Sequence, residues 1–336
     1  MLNRASFFFL AAAAFLLLPL PVHAGVTGKC YTCHTMHSSQ GGEAKNYLGV
    51  ALGASAPYGY LLNHDCAGCH TGTDNSSAGV GAVAGFEVGT PFVDDSTGNI
   101  LAGGYFSGTM GKQHDTSDLG HDDTTLGDTP PGGAALGAQL ACSGTTGCHA
   151  VGGHHENVTG NDATLDGTTP ARSFRFLSGY DGVEDSDWQY TTATSVANAT
   201  DHNYYLAANN NFAAATPTGT ISAFCAICHG YFHARTTGAN GIKGTNTWTR
   251  HPTDVALPTT GEYAGYDPDS GTGYNVEVPV GWTTTTPGVV AGQAVICLSC
   301  HYAHGGPNHD LLRWSYAGWP GNGETDGCFT CHSYKQ

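Results

Sequence analysis

The twelve cysteines of this 336-residue chain form six pairs, and a histidine directly follows the second cysteine of every pair. Five of the pairs have the spacing C-x-x-C-H; they begin at Cys30, Cys66, Cys225, Cys297 and Cys328. Two thiols at this spacing add to the vinyl groups on one edge of a haem, and the adjoining histidine meets the iron from the same side. The pattern predicts covalent haem attachment. Disulfides, redox dithiols and zinc sites do not explain a histidine after every second cysteine.

All six motifs are predicted to bind haem c and its iron through two thioether cysteines and one proximal histidine. The residues are Cys30, Cys33 and His34; Cys66, Cys69 and His70; Cys142, Cys148 and His149; Cys225, Cys228 and His229; Cys297, Cys300 and His301; and Cys328, Cys331 and His332. The prediction is therefore six covalently bound haem c groups.

The third motif is stretched, because five residues separate Cys142 from Cys148. This insert is small and glycine-rich, so it can bulge outward while both thiols reach one haem edge. A local disulfide is the alternative. His149, directly after the motif, favours haem.

Residues 1–24 have a basic start, an apolar run and a small-residue cleavage site, which together predict a secretory signal peptide. The apolar run is too short for a transmembrane helix. Residues 25–336 are then expected to form a single hexahaem unit. We expect a secreted protein that passes through the periplasm to the cell surface or the extracellular space.

Composition sets the expected fold. Only 11% of residues are charged and 49 are glycine, so long loops are expected between the motifs. The predicted class is a multihaem cytochrome c: mostly irregular coil, with short helices at the motifs and few short strands, wrapped around a chain of stacked haems that supply the core. Residues 274–278 alternate as a strand would. The net charge of −16 argues against nucleic acid as a partner.

The second axial ligand of each iron must come from elsewhere in the chain. Only Met36 and Met110 follow the signal peptide, whereas eleven histidines remain there besides the proximal ones. These are His37, His64, His114, His121, His154, His155, His202, His233, His251, His304 and His309. Bis-histidine ligation is therefore possible at every haem, and it gives lower potentials than methionine ligation.

Some of these histidines stand three or more residues after a proximal histidine: His37, His233, His304, and His154 or His155. On a helical turn, a residue three or four along lies on the same face as the proximal histidine. It therefore reaches a neighbouring iron rather than the far side of its own haem. For His64, His114, His202 and His309, a surface position is at least as good an interpretation.

The order of these features resembles a known family. Its elements are the first motif with His37 and Gly41-Gly42, Gly120-His121, His233 and Arg250-His251-Pro252 after the fourth motif, His304 after the fifth, and a sixth motif at the carboxyl end. Together they are similar to the filament-forming hexahaem outer-membrane cytochrome S family of extracellular multihaem cytochromes in metal-respiring bacteria. The similarity covers the motif framework from Gly25 onward but not the loops. The stretched third motif departs from the family.

The resemblance implies a conductive nanowire, in which closely stacked haems carry electrons along a homopolymer to other cytochromes and to extracellular acceptors such as metal oxides. Its distal ligands would be His37, His121, His154 or His155, His233, His251 and His304. The residue that matches His37 reaches the fifth haem of the adjacent subunit in that family. The bond between His37 and the fifth haem of the adjacent subunit would then both join the subunits and complete the path for electrons.

Two other functions compete with the filament. A monomeric electron shuttle would use the same six sites and differ only in assembly. A multihaem reductase of a nitrogen or sulfur oxyanion would need an iron with an open position. Since histidines are in excess, we expect an electron carrier rather than an enzyme, with no catalytic residues.

Overall fold

Irregular backbone dominates the described part of the chain, as the composition predicts. The computed structural model describes residues 30, 34–37, 39–40, 43–44, 61–62, 66, 103–119, 122–150, 165–184, 202–208, 219–233, 251–268, 274–275, 277–284, 292–316 and 327–334. The predicted signal peptide lies outside these residues. In the described part, no helix is both long and apolar enough to cross a bilayer.

The helices are short. The α-helices are α1 (Ile221–Cys228), α2 (Gly230–His233) and α3 (Cys328–Cys331). The 3-10 helices are Ser117–Leu119, Pro170–Arg172, Phe174–Phe176, Gly261–Tyr263, Cys297–Ser299 and His309–Leu311. Three of these elements contain motif cysteines, so the expectation of short helices at the motifs is confirmed.

The described strands have two or three residues each. They are β1 (Ser39–Gln40), β2 (Glu43–Ala44), β3 (Ala141–Ser143), β4 (Gly147–His149), β5 (Gly182–Val183), β6 (Tyr204–Leu206), β7 (Val255–Ala256), β8 (Gly281–Trp282) and β9 (Ala294–Val295). Strands β1 and β2 form an antiparallel pair, β3 and β4 a parallel pair, and the others one sheet in the order β5-β6-β8-β9-β7. Only β6 and β8 run parallel within that sheet.

The expected strand at 274–278 is wrong. The side-chain oxygen of Asn275 accepts a 2.9 Å hydrogen bond from the backbone N–H of Glu277. The backbone carbonyl of Asn275 accepts a 3.0 Å hydrogen bond from the N–H of Val278. This local bonding closes a turn where alternation alone predicted extended backbone. The strand begins later, at Gly281.

The five-stranded sheet carries an apolar core on both of its faces. Successive residues of β6 point to opposite faces: Tyr204 belongs to a cluster around the fully buried Trp282, and Tyr205 to a cluster around the fully buried Ile296. The haems were expected to supply the core alone, and the sheet shows that the polypeptide contributes one as well. Ile296 directly precedes Cys297, so this core fixes the start of the fifth motif.

Candidate haem-binding sites

Four of the five regular motifs close as one helical turn in the described residues. In four of them the backbone N–H of the histidine donates to the carbonyl of the first cysteine, at 2.8 Å for His34, 2.9 Å for His229, 3.1 Å for His301 and 2.9 Å for His332. This four-residue hydrogen bond places both cysteines and the histidine on one side of the turn. Such a turn presents two thiols and an imidazole to a single haem.

The fourth motif is the most regular of these turns. Thr220 caps the amino end of α1, because its hydroxyl accepts a 3.1 Å hydrogen bond from Ala223. The helix then carries Cys225 and Cys228 and ends with His229 as its carboxyl cap. The fifth motif is joined to it by a 3.3 Å hydrogen bond from the backbone of Cys297 to the hydroxyl of Ser222.

The stretched third motif replaces the helical turn with a tight loop. Cys142 lies in β3 and Cys148 in β4, and these strands pair directly. Gly144 has a φ of 93°, a left-handed conformation that favours glycine. A side chain at Gly147 would meet the backbone of Ser143 at 2.2 Å. The insert thus forms a tight bulge between two paired strands, with Ser143 as the partner of His149 in the ladder.

Four proximal histidines have a fixed ring orientation. Nδ1 of His149 lies 3.0 Å from a backbone carbonyl oxygen, that of His229 2.8 Å and that of His301 2.7 Å. Nδ1 of His332 lies 2.9 Å from the Glu262 carboxylate. Since these oxygens only accept, each Nδ1 carries the proton and Nε2 keeps its lone pair. This is the tautomer of a metal-ligating histidine with an outer-shell partner.

Sequence reasoning missed the segments that hold the histidines of the odd-numbered motifs. The residue after each histidine donates its N–H to a residue in the left-handed region: Thr35 to Leu61 at 2.6 Å, Ala150 to Phe176 at 2.8 Å, and Tyr302 to Leu311 at 2.8 Å. The acceptors have φ of 58°, 61° and 57°. The sequence does carry a weak signal, because Leu62, Leu177 and Leu312 follow them.

Three proximal histidines face a second histidine. The ring centroids are 6.2 Å apart for His149 and His304, 6.1 Å for His229 and His114, and 6.3 Å for His332 and His251. Metal–imidazole bonds of about 2.0 Å, with a further ~1.1 Å from nitrogen to ring centroid, place the centroids of two axial imidazoles about 6.2 Å apart. These pairs therefore have the spacing of bis-histidine ligation.

The second histidines are also oriented for this role. Nδ1 of His114 lies 2.7 Å from the carbonyl oxygen of Ala303, and that of His251 lies 2.9 Å from that of Pro252. Burial lowers the pKa of His114. A low pKa keeps the imidazole neutral, as a metal ligand must be. The free ring nitrogens of these neutral histidines are suitable axial ligands for an iron porphyrin.

The predicted distal ligands have different outcomes. His251 and His304 face proximal histidines of other motifs. His114, for which a surface position was an equal interpretation, does the same. His233 ends α2, and His37 is exposed near the amino-terminal motif. The remaining predicted site residues lie outside the described residues: Cys33, Cys69, His70, His121, His154 and His155.

Thiols of the second, third and fourth motifs lie beside one another. The Sγ atoms of Cys66 and Cys142 are within 4.8 Å of each other, and a hydrogen bond to Cys66 raises the pKa of Cys142. Burial, with the nearby Cys228, raises the pKa of Cys148 to about 11. The attachment points of consecutive motifs are therefore neighbours.

The same arrangement continues to the carboxyl end. A hydrogen bond to Cys297, and then burial, raises the pKa of the Cys225 thiol. Burial, with Cys328 nearby, raises the pKa of Cys300 to about 12. Motifs two to six thus adjoin in sequence order, and haems held by them would have adjoining edges.

Comparison with known proteins agrees with this geometry. The family model described as a doubled CXXCH motif matches residues 288–336, which contain the fifth and sixth motifs. The chain is 27% identical over 378 aligned residues to the C-type cytochrome OmcS of Geobacter sulfurreducens, covering 91% of this chain and 84% of that protein. The chain is a relative of OmcS. The resemblance to the cytochrome S family is thus confirmed, and the doubled motif supports covalent binding of haem c.

Two solved structures also align with the chain. They are the Outer Membrane Cytochrome S filament and the OmcS nanowires, both from Geobacter sulfurreducens. Each is 21% identical with a TM-score of 0.45. The first alignment covers 88% of this chain and 85% of that one, and the second 84% and 82%.

Proposed function

We propose that this chain is an extracellular electron carrier with six bis-histidine haems, and that it polymerises into a conductive filament through His37. The observation that carries the proposal is the set of three histidine pairs at 6.1, 6.2 and 6.3 Å. Each pair joins a proximal histidine to a distant part of the chain. A single fold therefore holds several irons together.

Electron transfer suits these sites better than catalysis does. When bound, haem c supplies the one-electron chemistry, and the chain supplies position and electrostatics. Two axial imidazoles leave no open position on an iron for substrate. Hydrogen bonds at Nδ1 hold four proximal rings in place, so little rearrangement accompanies a change of charge. These features favour an electron carrier over a reductase.

Conduction requires neighbouring sites to lie close together. Adjoining thiols link motifs two to six in order. The chain thereby supports a continuous row of haems rather than isolated centres. The relationship to OmcS adds support for an electron-transfer role outside the cell.

Assembly through His37 follows from the cytochrome S resemblance and from the position of this residue. His37 is exposed beside the first motif, and its neighbour Met36 is 74% exposed. His301 is also exposed, with Nδ1 bound to the carbonyl of Asp310 so that Nε2 can take a metal. We expect His37 of one subunit to complete the fifth haem of the next.

The experiment is cryo-electron microscopy of the natively exported protein, combined with its intact mass. We expect six haems per chain and His37 of a neighbouring subunit opposite His301. His37→Ala should keep six haems, open one iron and abolish long filaments, whereas the exposed control His309→Ala should polymerise. Normal filaments from His37→Ala would refute assembly through this bond. Isolated particles with an intramolecular ligand opposite His301 would indicate a shuttle.

A further inference from the structure

The sixth motif differs from the others in what holds its proximal histidine. Nδ1 of His332 lies 2.9 Å from Oε1 of Glu262, a charged carboxylate. The corresponding partners of His149, His229 and His301 are the neutral backbone carbonyls of other residues. Of these four proximal histidines, His332 alone binds a carboxylate.

The position of Glu262 is fixed by the backbone around it. Its carbonyl accepts hydrogen bonds from the Tyr334 N–H and from the Ser333 hydroxyl, both at 3.1 Å. The same hydroxyl accepts a 3.0 Å hydrogen bond from the Gly265 N–H. The turn around residues 261–265 is therefore bound to the residues that follow His332, which keeps the backbone of Glu262 close to the ring.

The other groups around this ring complete the site. His251 lies opposite His332 with perpendicular rings, and the Tyr263 ring is 5.0 Å from that of His332. Burial, together with a hydrogen bond to Glu262, raises the pKa of Tyr263, so its hydroxyl stays protonated as a donor. The side chains of His332 and Glu262 are 26% and 30% exposed. Partial burial strengthens a charge-assisted hydrogen bond.

We infer that Glu262 is a positioning residue that gives the haem of the sixth motif the lowest reduction potential among the haems of motifs three to six. A carboxylate acceptor makes the imidazole a stronger electron donor than a carbonyl acceptor does. Stronger donation, together with the nearby negative charge, stabilises ferric iron over ferrous iron. Among these four haems, electrons would then occupy the carboxyl-terminal one last.

The inference rests on the proposed function, because it requires haem at Cys328 and Cys331 with His332 as ligand. It adds an energetic direction to the row of haems. The haem with the lowest reduction potential among motifs three to six would lie at the sixth motif. Its potential would be set by one side chain from a turn far away in sequence.

The test is spectroelectrochemistry of the purified, fully haem-loaded protein carrying Glu262→Gln. Glutamine keeps the size and an acceptor oxygen but removes the charge. We expect the ferrous-to-ferric ratio of one haem, at a fixed applied potential, to rise at least tenfold, which is about 59 mV for one electron. Glu277→Gln removes the same charge from an exposed residue. It should change the ferrous-to-ferric ratio of every haem by no more than a few-fold.

The readouts separate the two proposals. Intact mass and low-spin electron paramagnetic resonance signals report whether the sixth haem is attached and bis-histidine ligated. A missing haem would contradict the proposed function. A fully loaded Glu262→Gln protein whose potentials shift no more than those of Glu277→Gln would overturn the role of Glu262 alone.

Discussion

Glu184 is buried beneath the third motif, and its removal tests how that motif is held. Its side chain is fully buried and pairs with Arg175, at 3.3 Å between Nη1 and Oε2. Its other oxygen accepts a hydrogen bond from the backbone N–H of Arg175. Arg175 has a φ of 47°, in the left-handed region, and its carbonyl orients His149. One carboxylate thus stabilises both the charge and the conformation of this residue.

The size of the effect follows from these contacts. At an effective dielectric of about 20, charges 3.3 Å apart attract by roughly 5 kcal/mol, and desolvation offsets much of this. Breaking one side of a buried pair costs about 3–5 kcal/mol, because the remaining charge stays buried. Arg175 would keep a 2.6 Å hydrogen bond to the side-chain oxygen of Asn203 and its position over the Phe174 ring, neither of which supplies a negative charge. Glu184→Ala should therefore lower the free energy of unfolding by about 3–5 kcal/mol.

The assay is urea denaturation of the haem-loaded protein, followed by circular dichroism. A lower midpoint at unchanged slope reports lost stability. Asp166→Ala is the matched control, because Asp166 pairs with Arg172 at the surface of the same segment, where ion pairs contribute little. Glu184→Gln keeps the backbone acceptor and should lose less than Glu184→Ala. Equal midpoints for Glu184→Ala and Asp166→Ala would refute the reasoning.

Two further substitutions test the ligand geometry and the sheet. His114→Ala should convert about one sixth of the iron to a high-spin form in electron paramagnetic resonance. The control His309→Ala should leave all of the iron low-spin. An unchanged spectrum for His114→Ala would exclude His114 as a ligand. Gly281→Ala would place a methyl group 2.7 Å from Ile296 and should cost about 1–3 kcal/mol in denaturation. Gly230→Ala, which meets nothing within 4 Å, should be close to neutral.

The haem-attachment turns were predictable because their geometry is local. A histidine four residues after a cysteine lies one helical turn away, whatever the rest of the chain does. The pairing of His114 with His229 was not predictable in this way, because tertiary contacts alone bring these residues together. His202 shows the same limit: it stacks on Tyr274 with centroids 3.8 Å apart, inside the core. From the sequence, it was indistinguishable from a surface histidine.

Three left-handed residues hold the chain directly after the histidines of motifs one, three and five. Leu61, Phe176 and Leu311 each adopt a conformation that costs a non-glycine residue about 1–2 kcal/mol, and each accepts a hydrogen bond from the residue after the histidine of motif one, three or five.

Motifs four and six follow another pattern, because their cysteines lie in the α-helices α1 and α3. In the described part of the chain, motif three with its left-handed segment is followed by motif four with its α-helix, and motifs five and six repeat this order. The doubled-motif family model matches the second of these pairs, in residues 288–336. A motif held by a distant segment followed by a motif held by an α-helix is therefore the arrangement that recurs in the described residues.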